Sequence, residues 1–229
     1  MLAVPRHADL PGTPLLITIM APEGRGVGSG FLIHPRVLLT AGHVTPEGAT
    51  VVVAFVDGAA GAEVLPVERV VRSRRDGWWG EDWALLVLER ACEAIPARAA
   101  PPTRAEPPEI GESVLLAGFP GRVPGEATGR LADHEAMLLR SRVIARPDWA
   151  GEDPAVLFVA DTTSERRRTG MSGGPVFVDR GSTWELCGLY VGDARQAFLG
   201  ADVDRVLVIQ PLPRDAIAEA IAGLRGPAP

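Results

Sequence analysis

The chain has 229 residues, 46% apolar and 23% charged, with a net charge of −6. That is the make-up of a soluble globular protein with room for one sizeable core or two small ones. The acidic balance argues against a dedicated nucleic-acid binder. Taken in chain order, residues 1–10 lack the charged-then-apolar order of a signal peptide. The first apolar run, 15–20, is far too short to span a membrane. A cytoplasmic protein with no membrane association is the expectation. All 23 basic residues are arginine, which together with abundant Ala, Gly and Pro points to a GC-rich bacterial coding sequence.

Short β-type runs separated by Gly, Pro and Asp dominate, as in barrels or sandwiches. The first set falls at 15–20, 28–33, 37–40, 50–55, 64–71 and 84–88. Residues 97–108, rich in Pro and Ala with interspersed charges, read as a linker. A second set follows at 113–118, 136–145, 156–160, 175–178, 184–191 and 205–209, with a polar, Gly-rich surface loop expected at 121–133. Asp179-Arg180-Gly181-Ser182 looks like a hairpin turn. The one convincing helix runs from 214 to about 224, where Ile217, Ile221 and Leu224 form an apolar face behind the early acid Asp215. The expected division is a β-rich half over 1–96, the linker, a β-rich half over 109–212, and a helix and tail over 213–229. Cys92 and Cys187 are too few for a disulfide framework and are expected as two separate buried thiols.

Chemistry concentrates in Gly170-Met171-Ser172-Gly173-Gly174-Pro175. A serine flanked by glycines can sit on a sharp turn with its hydroxyl exposed and neighbouring N–H groups converging where an acyl-transfer oxyanion would form. An ordinary glycine-rich turn has the same composition, so a base and an acid are needed as well. Of the four histidines, His43 sits at the end of the run 37–40, beside small residues that leave room for a partner. His7 falls in a tail, His34 in a turn before Pro35, and His134 in the middle loop. Asp82 enters the apolar run Trp83-Ala84-Leu85-Leu86-Val87-Leu88, where a carboxylate is costly to bury unless something pairs with it. A histidine N–H is such a partner; a solvated acid at a strand edge, as expected for Glu81, is the alternative.

His43 within Thr-Ala-Gly-His, Asp82 before Trp-Ala-Leu-Leu, and Ser172 within Gly-Met-Ser-Gly-Gly-Pro occur in that order. The chain thereby resembles the trypsin-like serine peptidase family, in its simpler bacterial branch. Gly28-Ser29-Gly30-Phe31-Leu32-Ile33, Gly118-Phe119-Pro120 and Gly188-Leu189-Tyr190-Val191-Gly192 support the resemblance. It implies an all-β fold of two antiparallel β-barrels with a C-terminal α-helix. It also implies Ser172 as nucleophile, His43 as general base and then acid, Asp82 as the group that orients it, and the amides of Gly170 and Ser172 as oxyanion hole. Animal digestive and clotting relatives carry, before the nucleophile, an aspartate that pairs with a new N-terminus. Met171 stands there in this chain, so no such zymogen switch is expected.

The implied activity is serine endopeptidase, acting on protein or peptide substrates through an acyl-enzyme. The alternative is a catalytically idle module of the same fold that binds a protein partner. A protease without a zymogen switch calls for restraint, by a regulatory protein partner or by narrow specificity. In the family the pocket for the residue before the cut is lined by the loop before the nucleophile and the strand after it. That implies Arg166, Leu189, Tyr190, Val191 and Gly192 as substrate-binding residues. An inward Arg166 would favour acidic side chains, whereas Leu189, Tyr190 and Val191 would make an apolar pocket; either disfavours Lys or Arg. Arg166, Arg167 and Arg168 with Arg72, Arg74 and Arg75 lack the aromatic stacking set of a nucleic-acid site and read as solvated loops. Asp202 and Asp204 read as turn acids, and neither metal nor cofactor is expected.

Overall fold

The computed structural model describes residues 14–21, 24–47, 50–57, 61–73, 81–92, 106–120, 137–145, 157–160, 170–181, 184–194 and 206–224. These form two closed antiparallel barrels of six strands each, followed by a helix. The first barrel is built from β1 (Pro14–Ala21), β2 (Gly24–His34), β3 (Val37–Thr40), β4 (Thr50–Asp57), β5 (Gly61–Arg72) and β6 (Ala84–Leu88). They close in the order β1-β2-β3-β6-β5-β4. The second barrel comprises β7 (Ser113–Gly118), β8 (Met137–Ile144), β9 (Leu157–Ala160), β10 (Pro175–Asp179), β11 (Trp184–Ala194) and β12 (Val206–Pro211), closing as β10-β11-β12-β9-β8-β7. The helix α1 spans Arg214–Gly223. The expected linker 97–108 is described only over 106–108, and the expected loop 121–133 lies outside the described residues. Among the described residues no helix is long and apolar enough to cross a membrane.

The continuous apolar runs become the most enclosed strands. Every residue of β3 and of β6 is buried, and the two strands pair from Val37↔Val87 to Thr40↔Ala84. A strand covered on both faces has no solvated side for polar side chains, which is why neither run alternates; buried Thr40 donates its hydroxyl to Ser29 O (2.7 Å). β2 begins four residues before the apolar run at 28–33, because its glycine-rich start pairs with β1 as far as Ala21↔Gly24. Glycine is required at position 28, where a Cβ would lie 2.3 Å from Val44 Cγ1.

A single apolar cluster joins the barrels, including Phe31, Leu38 and Leu85 of the first and Leu115, Phe177 and Leu189 of the second. The helix extends this cluster: Ala220 is buried in it, and Ile217, Ile221 and Leu224 pack against it as the periodicity predicts. The chain's last described element thereby folds back over the shared core. Asp179 Oδ1 accepts the N–H of Gly181 (2.9 Å; φ 79°) at the end of β10, which pairs with β11; Ser182 of the expected turn lies outside the described residues. Cys92 and Cys187 are both buried, and they form no disulfide with each other.

Candidate active site

The candidate site lies where the barrels meet, and each part is held by backbone contacts. His43 sits in a single 3-10 turn, Gly42–Val44, directly after β3. The Thr45 N–H and hydroxyl both donate to Gly42 O (3.0 and 3.2 Å), and the Arg72 guanidinium donates to the carbonyls of Thr45 and Pro46. Arg72 therefore braces the histidine turn. Arg74, Arg75 and Arg166 to Arg168 lie outside the described residues.

Asp82 precedes β6 and is clasped from β5. The Ser73 N–H donates to Trp83 O (3.0 Å), and the Ser73 hydroxyl donates to Glu81 O (2.6 Å). The Asp82 side chain is 16% exposed, and both its oxygens face His43. Oδ2 lies 2.6 Å from His43 Nδ1, and Oδ1 accepts the His43 N–H at 2.9 Å. One carboxylate thus fixes both the backbone and the ring of the histidine. Gly42 makes this approach feasible, since a Cβ there would stand 2.9 Å from Asp82 Oδ1. With Nδ1 turned to the carboxylate, Nε2 is left for other work, and the side chain is half exposed.

The serine turn belongs to the second barrel and is seated on the first. Gly173 (φ 87°) has no space for a side chain: a Cβ would be 2.1 Å from Ser29 O, 2.2 Å from Thr40 Oγ1 and 2.8 Å from Ala41 N. Gly173 thus seats the serine turn against the end of β3, the strand that leads into the His43 turn. Further bonds hold the turn, from Ser29 N to Ser172 O (2.8 Å), Gly173 N to Tyr190 O (2.7 Å) and Gly174 N to Met171 O (2.9 Å). The Met171 side chain is buried in the second barrel's cluster, which includes Val114, Leu116 and Tyr190. Ser172 itself is only partly buried. Among the described residues, the N–H groups of Gly170 and Ser172 donate to no acceptor. Gly170, at φ 96°, takes a conformation that glycine alone adopts freely.

The residues expected to line the specificity pocket divide. Arg166 lies outside the described residues, with the rest of 161–169. Leu189, paired with Pro175 in β11, is completely buried in the cluster that joins the barrels. Tyr190 is 2% exposed, and its hydroxyl donates to Asp193 Oδ1. Val191 is 9% exposed, and around Gly192, partly exposed beyond the bulge in β11, a Cβ would meet nothing within 4 Å.

Three contributors escaped sequence reasoning. Ser29, completely buried, bridges the barrels; Asp193 partners Tyr190; Gln210, 5% exposed in β12, accepts the Asp82 N–H at 3.3 Å. Gln210 left a signal, a polar residue closing the apolar run Val206-Leu207-Val208-Ile209. Ser29 left none, since it reads as one residue of the β-type run 28–33, with nothing to name a partner in the other barrel. His134, Asp202 and Asp204 lie outside the described residues, and no group of three or more His, Cys, Asp or Glu able to hold a metal occurs among those described.

Paired six-stranded barrels with this junction define the chymotrypsin-like class of folds. The family described as trypsin-like peptidase domain matches residues 28–189, and the chain belongs to that family. Among solved structures it is similar to a thermostable serine protease, AL20, from an extremophilic microorganism (18% identity, TM-score 0.63, covering 92% of this chain and 95% of that one). It is likewise similar to the active form of the Rv3671c protease of M. tuberculosis (22%, 0.61, covering 97% and 84%). A scabies mite inactivated protease paralogue, S-I1, is similar too (16%, 0.69, covering 92% and 94%), so the fold is compatible with activity and with its loss. No curated protein matches the chain.

Proposed function

We propose that the protein is a serine endopeptidase that cleaves peptide bonds through Ser172, His43 and Asp82. The observation that carries this reading is the two-point grip of Asp82 on His43, beside a serine turn seated against the same strand end. A structural histidine needs no carboxylate on both its backbone and its ring. The Ser172 hydroxyl attacks the scissile carbonyl carbon while His43 Nε2 takes its proton. Asp82 stabilises the resulting imidazolium, and the N–H groups of Gly170 and Ser172 receive the oxyanion. Collapse expels the amine with the proton from His43. Water then attacks the acyl-enzyme, giving a proton to His43, which returns it to Ser172 Oγ as the acid is released.

Two further features belong to the proposal. With the Met171 side chain buried among apolar residues, no acid beside the nucleophile is available to pair with a newly cut N-terminus, so activity needs no such cut. Substrates are proteins or peptides, and cleavage after Lys or Arg is disfavoured. The test is hydrolysis of a quenched peptide library by wild type and by Ser172→Ala. Turnover in wild type and a loss of about 10⁴-fold or more in the variant are expected. Equal rates would refute the mechanism, and a wild type that binds peptides without cutting them would make the chain an idle binding module.

A further inference from the structure

Ser29 plays no part in the bond-making proposed above, yet it is completely buried and hydrogen-bonded through backbone and side chain alike. Its hydroxyl donates to Gly170 O and accepts the N–H of Phe119, both at 2.8 Å. Its N–H donates to Ser172 O (2.8 Å), and its carbonyl accepts the Thr40 hydroxyl (2.7 Å). A Cβ on Gly118 would lie 3.0 Å from Ser29 Oγ and 3.2 Å from Met171 Cα, so the three segments meet with no space to spare. One residue of β2 thus holds the peptide carbonyls of the nucleophile turn on both sides of Met171.

The Gly170–Met171 peptide separates the two N–H groups proposed to face the oxyanion. Fixing its carbonyl fixes the plane of that peptide, and with it the torsions on either side. Gly170 at φ 96° carries no side chain to restrain it, so the restraint must come from elsewhere. Removing the hydroxyl would leave the Gly170 carbonyl and the Phe119 N–H without this partner in a buried place, where an unmade bond is costly and the peptide is driven to turn. The two donors would then no longer converge.

We infer that Ser29 is a positioning residue for the oxyanion hole. Its hydroxyl, supplied by the first barrel, sets the orientation of the Gly170–Met171 peptide in the second. Competence of the nucleophile turn thereby depends on the docking of the two barrels. The inference rests on reading this site as that of a serine peptidase.

The test compares wild type with Ser29→Ala, Ser29→Thr and Ser29→Cys in peptide hydrolysis and in affinity for a peptide aldehyde, whose tetrahedral adduct places an oxygen in the hole. The aldehyde sequence follows the wild-type cleavage profile. For Ser29→Ala, kcat falls by about 10- to 100-fold, KM stays within about threefold, and aldehyde affinity weakens in step with kcat/KM. The pH profile keeps its position because His43 and Asp82 are untouched, and Ser29→Thr restores most of the rate. A folded Ser29→Ala with wild-type kcat and aldehyde affinity overturns the inference. Should alanine prevent folding, Ser29→Cys, with its weaker donor, decides: aldehyde affinity about 3- to 10-fold weaker is expected, and unchanged affinity overturns the role. A wild type that neither turns over nor binds the aldehyde refutes the peptidase reading itself. A wild type that does both, equalled by Ser29→Ala, refutes the role of Ser29 alone.

Discussion

Gly173→Ala tests whether the serine turn is seated as described. Gly173 lies at φ 87°, where a residue with a Cβ loses about 1–2 kcal/mol. The steric cost is larger. The new Cβ would stand 2.1 Å from Ser29 O and 2.8 Å from Ala41 N, both backbone atoms inside a closed barrel that no rotamer change can move aside. Ordinary contact begins at 3.4 Å, so the turn would have to retreat by about 1.3 Å. Retreat strains the bonds from Ser29 N to Ser172 O and from Gly173 N to Tyr190 O, each worth about 0.5–1.5 kcal/mol. The expected loss of stability is about 2–5 kcal/mol in all. A serine displaced by about an ångström from its base should also acylate at least ~10²-fold more slowly. Gly181→Ala is the control: φ is 79°, but nothing lies within 4 Å of the new Cβ, so only the backbone term remains and activity is unchanged. Denaturant unfolding reads the first quantity, and the rate of labelling by a fluorophosphonate reads the second. If Gly173→Ala proves as mild as Gly181→Ala and labels at the wild-type rate, the docking of the barrels around Ser172 is wrong.

Three other outcomes are expected. His43→Ala lowers kcat by about 10⁴-fold, because no other group among the described residues is placed to take the serine proton; a loss of under about 10-fold would count against His43 as the base. Gln210→Leu removes the acceptor of the Asp82 N–H and lowers stability by about 1–3 kcal/mol in denaturant unfolding, and a change under about 0.5 kcal/mol would mean that the bond at 3.3 Å contributes nothing. Peptide-library cleavage shows few Lys or Arg residues before the cut; a profile dominated by them would contradict this and direct attention to Asp193.

The strands were legible where burial demands an unbroken apolar run, as at Val37–Thr40 and Ala84–Leu88. They were less so where glycine serves close approach, as at the start of β2, because the same composition marks a turn. His43 and Asp82 stood out because an imidazole beside glycine and an acid before an apolar strand both call for a partner. The burial of Leu189 was not legible, because a position beside the serine turn does not reveal which face of β11 a residue occupies. Ser29, Asp193 and Gln210 were out of reach for a common reason. Each acts through a partner brought near by folding or by a strand bulge, and a lone polar residue in the sequence does not name that partner.

The central claim is that Ser172 is a nucleophile activated by His43, and stoichiometric labelling tests it most directly. Wild type, Ser172→Ala and His43→Ala are each treated with a fluorophosphonate, and the modified peptide is mapped by mass spectrometry. Wild type should take up one label per chain at Ser172, Ser172→Ala none, and His43→Ala a label only after a delay of about 10³-fold or more. Labelling at another residue, or equal rates in wild type and His43→Ala, would contradict the claim.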